Sequence, residues 1–394
     1  MARLTIKNGV DWIGAIDWDR RLFDELIPLP DGTSYNAYLV RGRDRTALLD
    51  TVDPTRTSEL FDNLKELRIE KIDYVIIHHA EQDHSGSLPA ILALHPQTKI
   101  VTNQKCREIL ETHLLIPPEK FLTIGDRETL DLGGKTLEFI IAPWVHWPDT
   151  MFSYLREDNI LFTCDFLGSH LATSDLYVRD ESAVYHSAKR YFAEIMMPFR
   201  ANIRNHLEKI KDLRIDIVAP SHGPLYDRPA FIIDAYKDWV SDQVRNEVVL
   251  AYVSMHGSVR RMTDHLTEAL IKKGVKVLSF NLTRTDVGEL AMALVDAATV
   301  VIGSPTVLVG AHPAAVYTAY LVNALRPKTK FASLVGSYGW AGKMPEAIKG
   351  MITNLNAAFL EPVVVRGYPR AQDFAALDRL AEDIRTAHFS VGAR

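Results

Sequence analysis

The sequence predicts a two-domain α/β protein, with a mixed first half (1–246) and a doubly wound parallel sheet in the second (247–394). Three observations carry this. The chain has 394 residues, more than one ordinary core holds together. After residue 247, apolar strand-like runs alternate regularly with helical patches. In both halves, the residues capable of chemistry follow directly on apolar runs, as they do when loops on a rigid sheet carry function.

In the first half, SYNAYLV (34–40) and RTALLDT (45–51) read as paired strands over a turn containing Gly42, with an amphipathic helix near 55–68. IDYVIIH (72–78) is a buried strand that leads into HHAEQDHSG (78–86). LEFIIAP (137–143), MFSYLRE (151–157) and NILFTCD (159–165) read as strands, and 181–212 as mainly helical. IDIVAPSHG (215–223) is a strand running into polar residues, and 228–246 a helix leading to the junction. The second half runs EVVLAYVS, a helix to 273, VKVLSF, a helix near 286–295, TVVIGSPT, a helix near 313–325, KFASLVGS, a helix near 343–354 and LEPVVVRG. A parallel sheet covered on both faces requires apolar runs of this kind.

Composition narrows the function. With 47% hydrophobic and 24% charged residues the chain is globular rather than disordered. A net charge of −5, without a run of Lys or Arg, gives no footprint for nucleic acid. No apolar stretch is long enough for a membrane span, and MARLTIKNGVDW has no basic region followed by an apolar one, so a cytoplasmic protein is expected. Cys106 and Cys164 form no CxxC pair, so any thiolate-bound electron carrier must be a separate chain.

Seven strand-end residues form a metal-binding set: His79, Glu81, Asp83 and His84, then His146 in WVHWPD, Asp165 in FTCDF and His222 in PSHGP. Imidazole and carboxylate together suit first-row metals, and thiolate is absent. Glu81 and Asp83 repel each other unless a cation lies between them. Two sets of two His and one carboxylate leave one carboxylate over, and Asp165 is the natural bridge of a two-metal site, with ions about 3.5 to 4 Å apart. His78 is read as a packing or outer residue, because adjacent residues of an extended segment point to opposite sides. The other histidines are read as surface or core, with His170 open between a supporting and a structural role.

In the second half, YVSMHGSVRRM starts at a strand end and opens a helix, where Ser254, Met255, His256, Gly257, Ser258 and Val259 can present hydroxyl and N–H groups to a phosphate. Two further strand ends converge on the same edge: Ser304, Pro305, Thr306, Val307 and Leu308, then Gly336, Ser337, Tyr338, Gly339 and Trp340. Trp340 lies between glycines and can stack on a flat cofactor. No GxGxxG follows a strand, which disfavours a dinucleotide site.

HxExDH at 79–84, followed by His146, Asp165 and His222, resembles the flavodiiron proteins, and the second-half loops are similar to those of flavodoxins. The resemblance covers almost the entire chain. It implies a metallo-β-lactamase-like αββα sandwich over 1–246 and a flavodoxin-like FMN domain over 247–394. It also implies one iron on His79, Glu81 and His146, another on Asp83, His84 and His222, and Asp165 between them. Related hydrolases present HxHxDH; Glu81 in the third position favours a redox di-iron centre. The implied activity is reduction of O2 to water or of NO to N2O, with electrons from an external donor such as rubredoxin, a reduced deazaflavin or an NADH-linked reductase. The implied assembly is a head-to-tail homodimer or a dimer of dimers. Two departures stand out: Val259 where a phosphate-binding Thr is common, and Val307 and Leu308 where polar side chains are frequent. The competing expectations are a di-zinc hydrolase with an accessory flavodoxin-like domain and a flavin carrier with a metal-free first domain.

Overall fold

A computed structural model describes residues 4–394 and divides into two units. One runs to Phe192 and resumes over Phe199–Lys237; the other comprises Ala193–Pro198 and Asp238–Arg394.

The first unit is an αββα sandwich. Its larger sheet has seven strands in the order Leu4–Lys7, Val10–Trp12, Tyr38–Arg41, Thr46–Leu49, Tyr74–Ile76, Lys99–Thr102 and Phe121–Thr123. Its smaller sheet has five, from Thr129–Asp131 through Thr136–Ile141, Met151–Leu155 and Ile160–Cys164 to Ile217–Pro220. Alternation along each strand sorts the side chains into two cores. Tyr38, Val40, Leu49, Ile76 and Val101 meet Phe139, Met151, Phe162 and Ala219 between the sheets. Leu39, Leu48, Val75 and Ile100 face the other way, onto Leu60, Leu64, Leu88, Ile91 and Leu110 of the covering helices. The outer face of the smaller sheet stacks Phe152 on Phe166, which meets Tyr236 edge-on.

One sequence expectation changes here. SYNAYLV is two strands, not one: Thr33–Tyr35 pairs with Ala15–Asp17 in a separate ribbon, and only Tyr38–Arg41 pairs with Thr46–Leu49. The break is at Asn36, whose N–H donates to Ser221 O and whose side-chain amide donates to Pro220 O and Gly223 O, all at 2.8 Å. Those bonds pull the chain out of the sheet and towards His222.

The second unit is a parallel sheet in the order Lys276–Asn281, Arg245–Tyr252, Ala297–Val307, Phe331–Tyr338, with Ala358–Phe359 and Val363–Arg366 both on the last of these. This is a doubly wound flavodoxin-like order, with the switch between Arg245–Tyr252 and Ala297–Val307. One face packs Val248, Leu250, Val301, Val335 and Val365 against Met262, Leu266, Leu377 and Ile384. The last two belong to Ala371–Ser390, a helix beyond the final strand that the sequence reading assigns. No helix among the described residues is long and apolar enough to cross a membrane.

His388 pins that helix to the sheet. Its Nδ1–H donates to Asn246 Oδ1 at 2.8 Å and its Nε2 meets Thr299 Oγ1 at 2.7 Å. Burial lowers its pKa to about 4. The unfolded chain, with a histidine pKa near 6.5, takes up the proton first, so stability is full above about pH 6.5 and declines as pH falls towards 4. We predict that this unit loses about 1–2 kcal/mol between pH 7 and 5, and that His388→Gln flattens the loss. Urea titrations followed by amide exchange in Arg245–Tyr252 check this; a wild-type midpoint that does not move with pH refutes it.

Candidate metal centre and cofactor cavity

The strand Tyr74–Ile76 ends beneath a loop that carries His79 and Glu81, and Glu81 begins a short helix, Gln82–Ser85, that carries Asp83 and His84. His146 comes from the connection between Thr136–Ile141 and Met151–Leu155. Asp165 directly follows Ile160–Cys164, and His222 follows Ile217–Pro220. The structure thus brings all seven residues singled out in the sequence together at strand ends. Ligand atoms of His79, Glu81, His146 and Asp165 lie within 4.8 Å of one another, as do those of Asp83, His84 and His222.

Asp165 sits between the two groups. Its Oδ1 is 3.1 Å from His84 Nε2 and 3.2 Å from His222 Nε2; its Oδ2 is 3.9 Å from His79 Nε2 and 3.7 Å from His146 Nε2. Both oxygens of Asp83 and of Asp165, and Nε2 of His84, are buried without a hydrogen-bond partner. Native proteins rarely leave so many adjacent polar atoms unsatisfied, because each costs about 1–3 kcal/mol. These atoms are gathered in two groups of imidazole and carboxylate donors, so the donor set fits two cations. A third convergence, of Asp50, His84 and Cys164, is chemically poorer. Asp50 is already bonded to His78 at 2.8 Å, and burial raises the Cys164 thiol pKa well above its usual value.

Outer partners aim the imidazoles inward. His79 Nδ1–H donates to Asp149 at 3.2 Å, and Asp149 also accepts from Ala80 N–H at 2.8 Å. His222 Nδ1–H donates to Ser34 O at 2.7 Å. Fixing one ring nitrogen in this way sets the tautomer and leaves Nε2 free to ligate. His78 points elsewhere, held by Asp50 and by Ser153 Oγ at 2.7 Å. Burial alone would lower the pKa values of His84 and His222, but Asp165 and Asp83 override it and raise them to about 9 and about 10. Burial would raise that of Asp165, yet His84 and His222 hold it well below the carboxylate range.

Aromatic rings wall the centre. Trp147 meets His79 edge-on at 4.8 Å, and Tyr191 lies 4.8 Å from His170 and 6.0 Å from His222. Phe192 turns away, onto Tyr236, and Trp144 stacks on Phe199. His170 accordingly supports the wall, between Tyr191 and His222. Phe23 packs 5.3 Å from His170, under a hairpin of Leu22–Phe23 and Ile27–Pro28. At the hairpin tip, Asp24 and Glu25 have φ of 50° and 52°. Burial and the neighbouring Glu81 carboxyl push the Asp24 pKa up to about 6. Sequence reasoning missed Asp24, Asp149 and Phe23; a paired Asp-Glu turn and the Asp of WPDT were the available signals.

In the second unit a cavity of about 630 Å³ opens at the carboxyl ends of the sheet. Ser254, Met255, His256, Ser258, Val259, Pro305, Thr306, Val307, Leu308, Ser337, Tyr338, Gly339 and Trp340 line it, together with Val309 and Gly367, which the sequence reading omitted. Gly257, Ser304 and Gly336 do not. Gly257 has a φ of 86° and caps the fifteen-residue helix Ser258–Lys272, whose N-terminus suits an anion. Ser304 is buried and accepts from His312 N–H at 3.0 Å. A side chain at Gly336 would collide with Met344 Cε at 2.2 Å. Val259 is buried at the cavity wall and offers no hydroxyl there.

A model of the ODP family beta lactamase matches residues 33–223. The nitric oxide reductase of Moorella thermoacetica is 33% identical over 393 residues, 97% of this chain and 98% of that protein. Rubredoxin oxygen:oxidoreductase from Desulfovibrio gigas has the same fold, with a TM-score of 0.96 and 29% identity over 100% of both chains. The flavodiiron protein from Giardia intestinalis follows at a TM-score of 0.90 and 26% identity, covering 99% of this chain and 97% of that one. With its seven-donor centre, its uncharged cavity and relatives that match from end to end, the chain belongs to the flavodiiron protein family.

Proposed function

We propose that this protein is an oxygen or nitric oxide reductase that takes electrons from an external donor through FMN to a di-iron centre. The observation that carries the reading is Asp165, one carboxylate within ion-pair distance of all four imidazoles. In this reading His79, Glu81 and His146 would hold one iron, Asp83, His84 and His222 the other, and Asp165 would be shared between them. The cavity residues would hold FMN, and the N-terminus of Ser258–Lys272 would suit its phosphate. When bound, FMN and the irons together supply the electrons for reducing a diatomic gas. The chain's own residues do the rest. Asp149 and Ser34 orient two ligands, Trp147 and Tyr191 keep the wall dry, and the Asp24 carboxyl, with its pKa near 6, can hold a proton beside Glu81.

The names of the relatives support both gases as substrates, and that of the Desulfovibrio protein supports rubredoxin as the donor. A head-to-tail homodimer is part of the proposal, because the cavity rim exposes Leu308, Val309, Met255 and Trp340, an apolar patch of the kind that partners cover. So is a cytoplasmic setting, which suits two unpaired thiols.

Purified protein is expected to contain about two irons and one FMN per chain, and in reduced form to consume O2 or NO under anaerobic handling. Zinc without flavin would point to a hydrolase. Flavin that neither gas reoxidises would end the reductase reading.

A further inference from the structure

We propose that Arg366 is the cation that stabilises reduced flavin in this protein, an inference that rests on the FMN reading above. The cavity wall contains no carboxylate, lysine or arginine; its polar groups are hydroxyls, backbone amides and His256. Reduced flavin is anionic at its N1–C2 carbonyl edge near neutral pH, and charge near the ring nitrogens is a lever by which proteins tune it. In so neutral a cavity, the nearest fixed cation sets how well that anion is tolerated.

Arg366 is such a cation beside the cavity, next in sequence to the lining residue Gly367. It ends the strand Val363–Arg366 and pairs in parallel register with Tyr338, a cavity residue. Val363 and Val365 enter the core, so alternation turns Arg366 to the opposite face. Its Nε–H donates to Gly339 O at 3.3 Å, in the loop that carries Trp340. The next residue, Gly367, lines the cavity, and its N–H donates to Tyr338 O at 2.8 Å. One N–H of the guanidinium is engaged, and no carboxylate pairs with it among the described residues. The rest of the guanidinium is therefore free to present its positive charge towards the reduced ring. Unit charges a few ångströms apart near a protein surface interact strongly enough to move an equilibrium about tenfold or more.

The test uses the full-length chain loaded with FMN, comparing wild type, Arg366→Gln and Arg366→Lys. Affinity for oxidised FMN and the flavin midpoint potential are measured under anaerobic conditions. Arg366→Gln is expected to bind oxidised FMN within about twofold of wild type but to lose about tenfold in its preference for reduced over oxidised flavin. That equals a fall of about 30 mV for a two-electron couple. Arg366→Lys, which keeps the charge, is expected to retain most of the wild-type potential. Because Arg366 is exposed, the difference between wild type and Arg366→Gln should shrink at high salt. An unchanged potential in Arg366→Gln overturns the proposal. So does an equal fall in both variants with matching loss of oxidised FMN, which would make Arg366 only a clamp on the loop. A wild-type chain that binds no FMN at all refutes the cofactor reading itself, and this inference with it.

Discussion

Asp165→Ala is expected to empty both iron positions while leaving FMN in place. The carboxylate is 1% exposed and lies between the two donor groups, so in the proposed reading its removal takes a donor from each metal at once. It also leaves His79, His84, His146 and His222 facing one another without the anion that holds them together. Iron content should fall more than tenfold, since even loss of an outer partner commonly costs about 10–100-fold in metal affinity. The flavin cavity draws its wall from residues 254–367, so flavin absorbance should persist. Elemental analysis and the visible spectrum of the same sample decide the matter: parallel loss of iron and flavin would mean that the sites are not separate.

Asp149→Asn should weaken iron binding about 10–100-fold without emptying the site. Asp149 is buried, and burial would raise its pKa; the hydrogen bond from His79 outweighs that and keeps it below the ordinary carboxylate range. It therefore acts as a fixed negative charge behind the imidazole, making Nε2 a better donor. An amide of the same shape keeps one acceptor oxygen, for the Ala80 N–H, but removes the charge and the second acceptor behind His79. Competition with a chelator reads the affinity, and far-UV circular dichroism reports whether the fold is intact. Equal affinity in the variant would reduce Asp149 to a packing role.

Much of this site was legible in the sequence because its chemistry is concentrated. Four of the proposed ligands lie within 79–84, and the other three follow apolar runs that read as strands. The regular second half was legible for a similar reason, since helices and buried parallel strands have distinct periods. What stayed hidden depends on contacts between distant residues. Nothing local announces that Asn36 leaves the sheet to bond Pro220 and Gly223, or that Asp149 stands behind His79. Ser304 illustrates the converse: the pattern aims it at a ligand, and a backbone N–H eight residues on captures its hydroxyl. Arg366 escaped notice because it ends the strand that comes after the three loops with a flavodoxin-like pattern.

The seven proposed ligands are divided between the sheets of the sandwich. His79, Glu81, Asp83 and His84 hang from a strand of the larger sheet, whereas His146, Asp165 and His222 hang from the smaller one. In the proposed reading iron works as a staple across these two layers, added to the apolar packing and to hydrogen bonds such as those of Asn36 and His78. Any excursion that parts the layers at this edge must first surrender metal ligands, so binding energy is carried directly into resistance to local unfolding. Amide hydrogens in Gln82–Ser85 and at the end of Ile217–Pro220 should thus exchange together, as one cooperative unit, and faster by the same factor when iron is chelated.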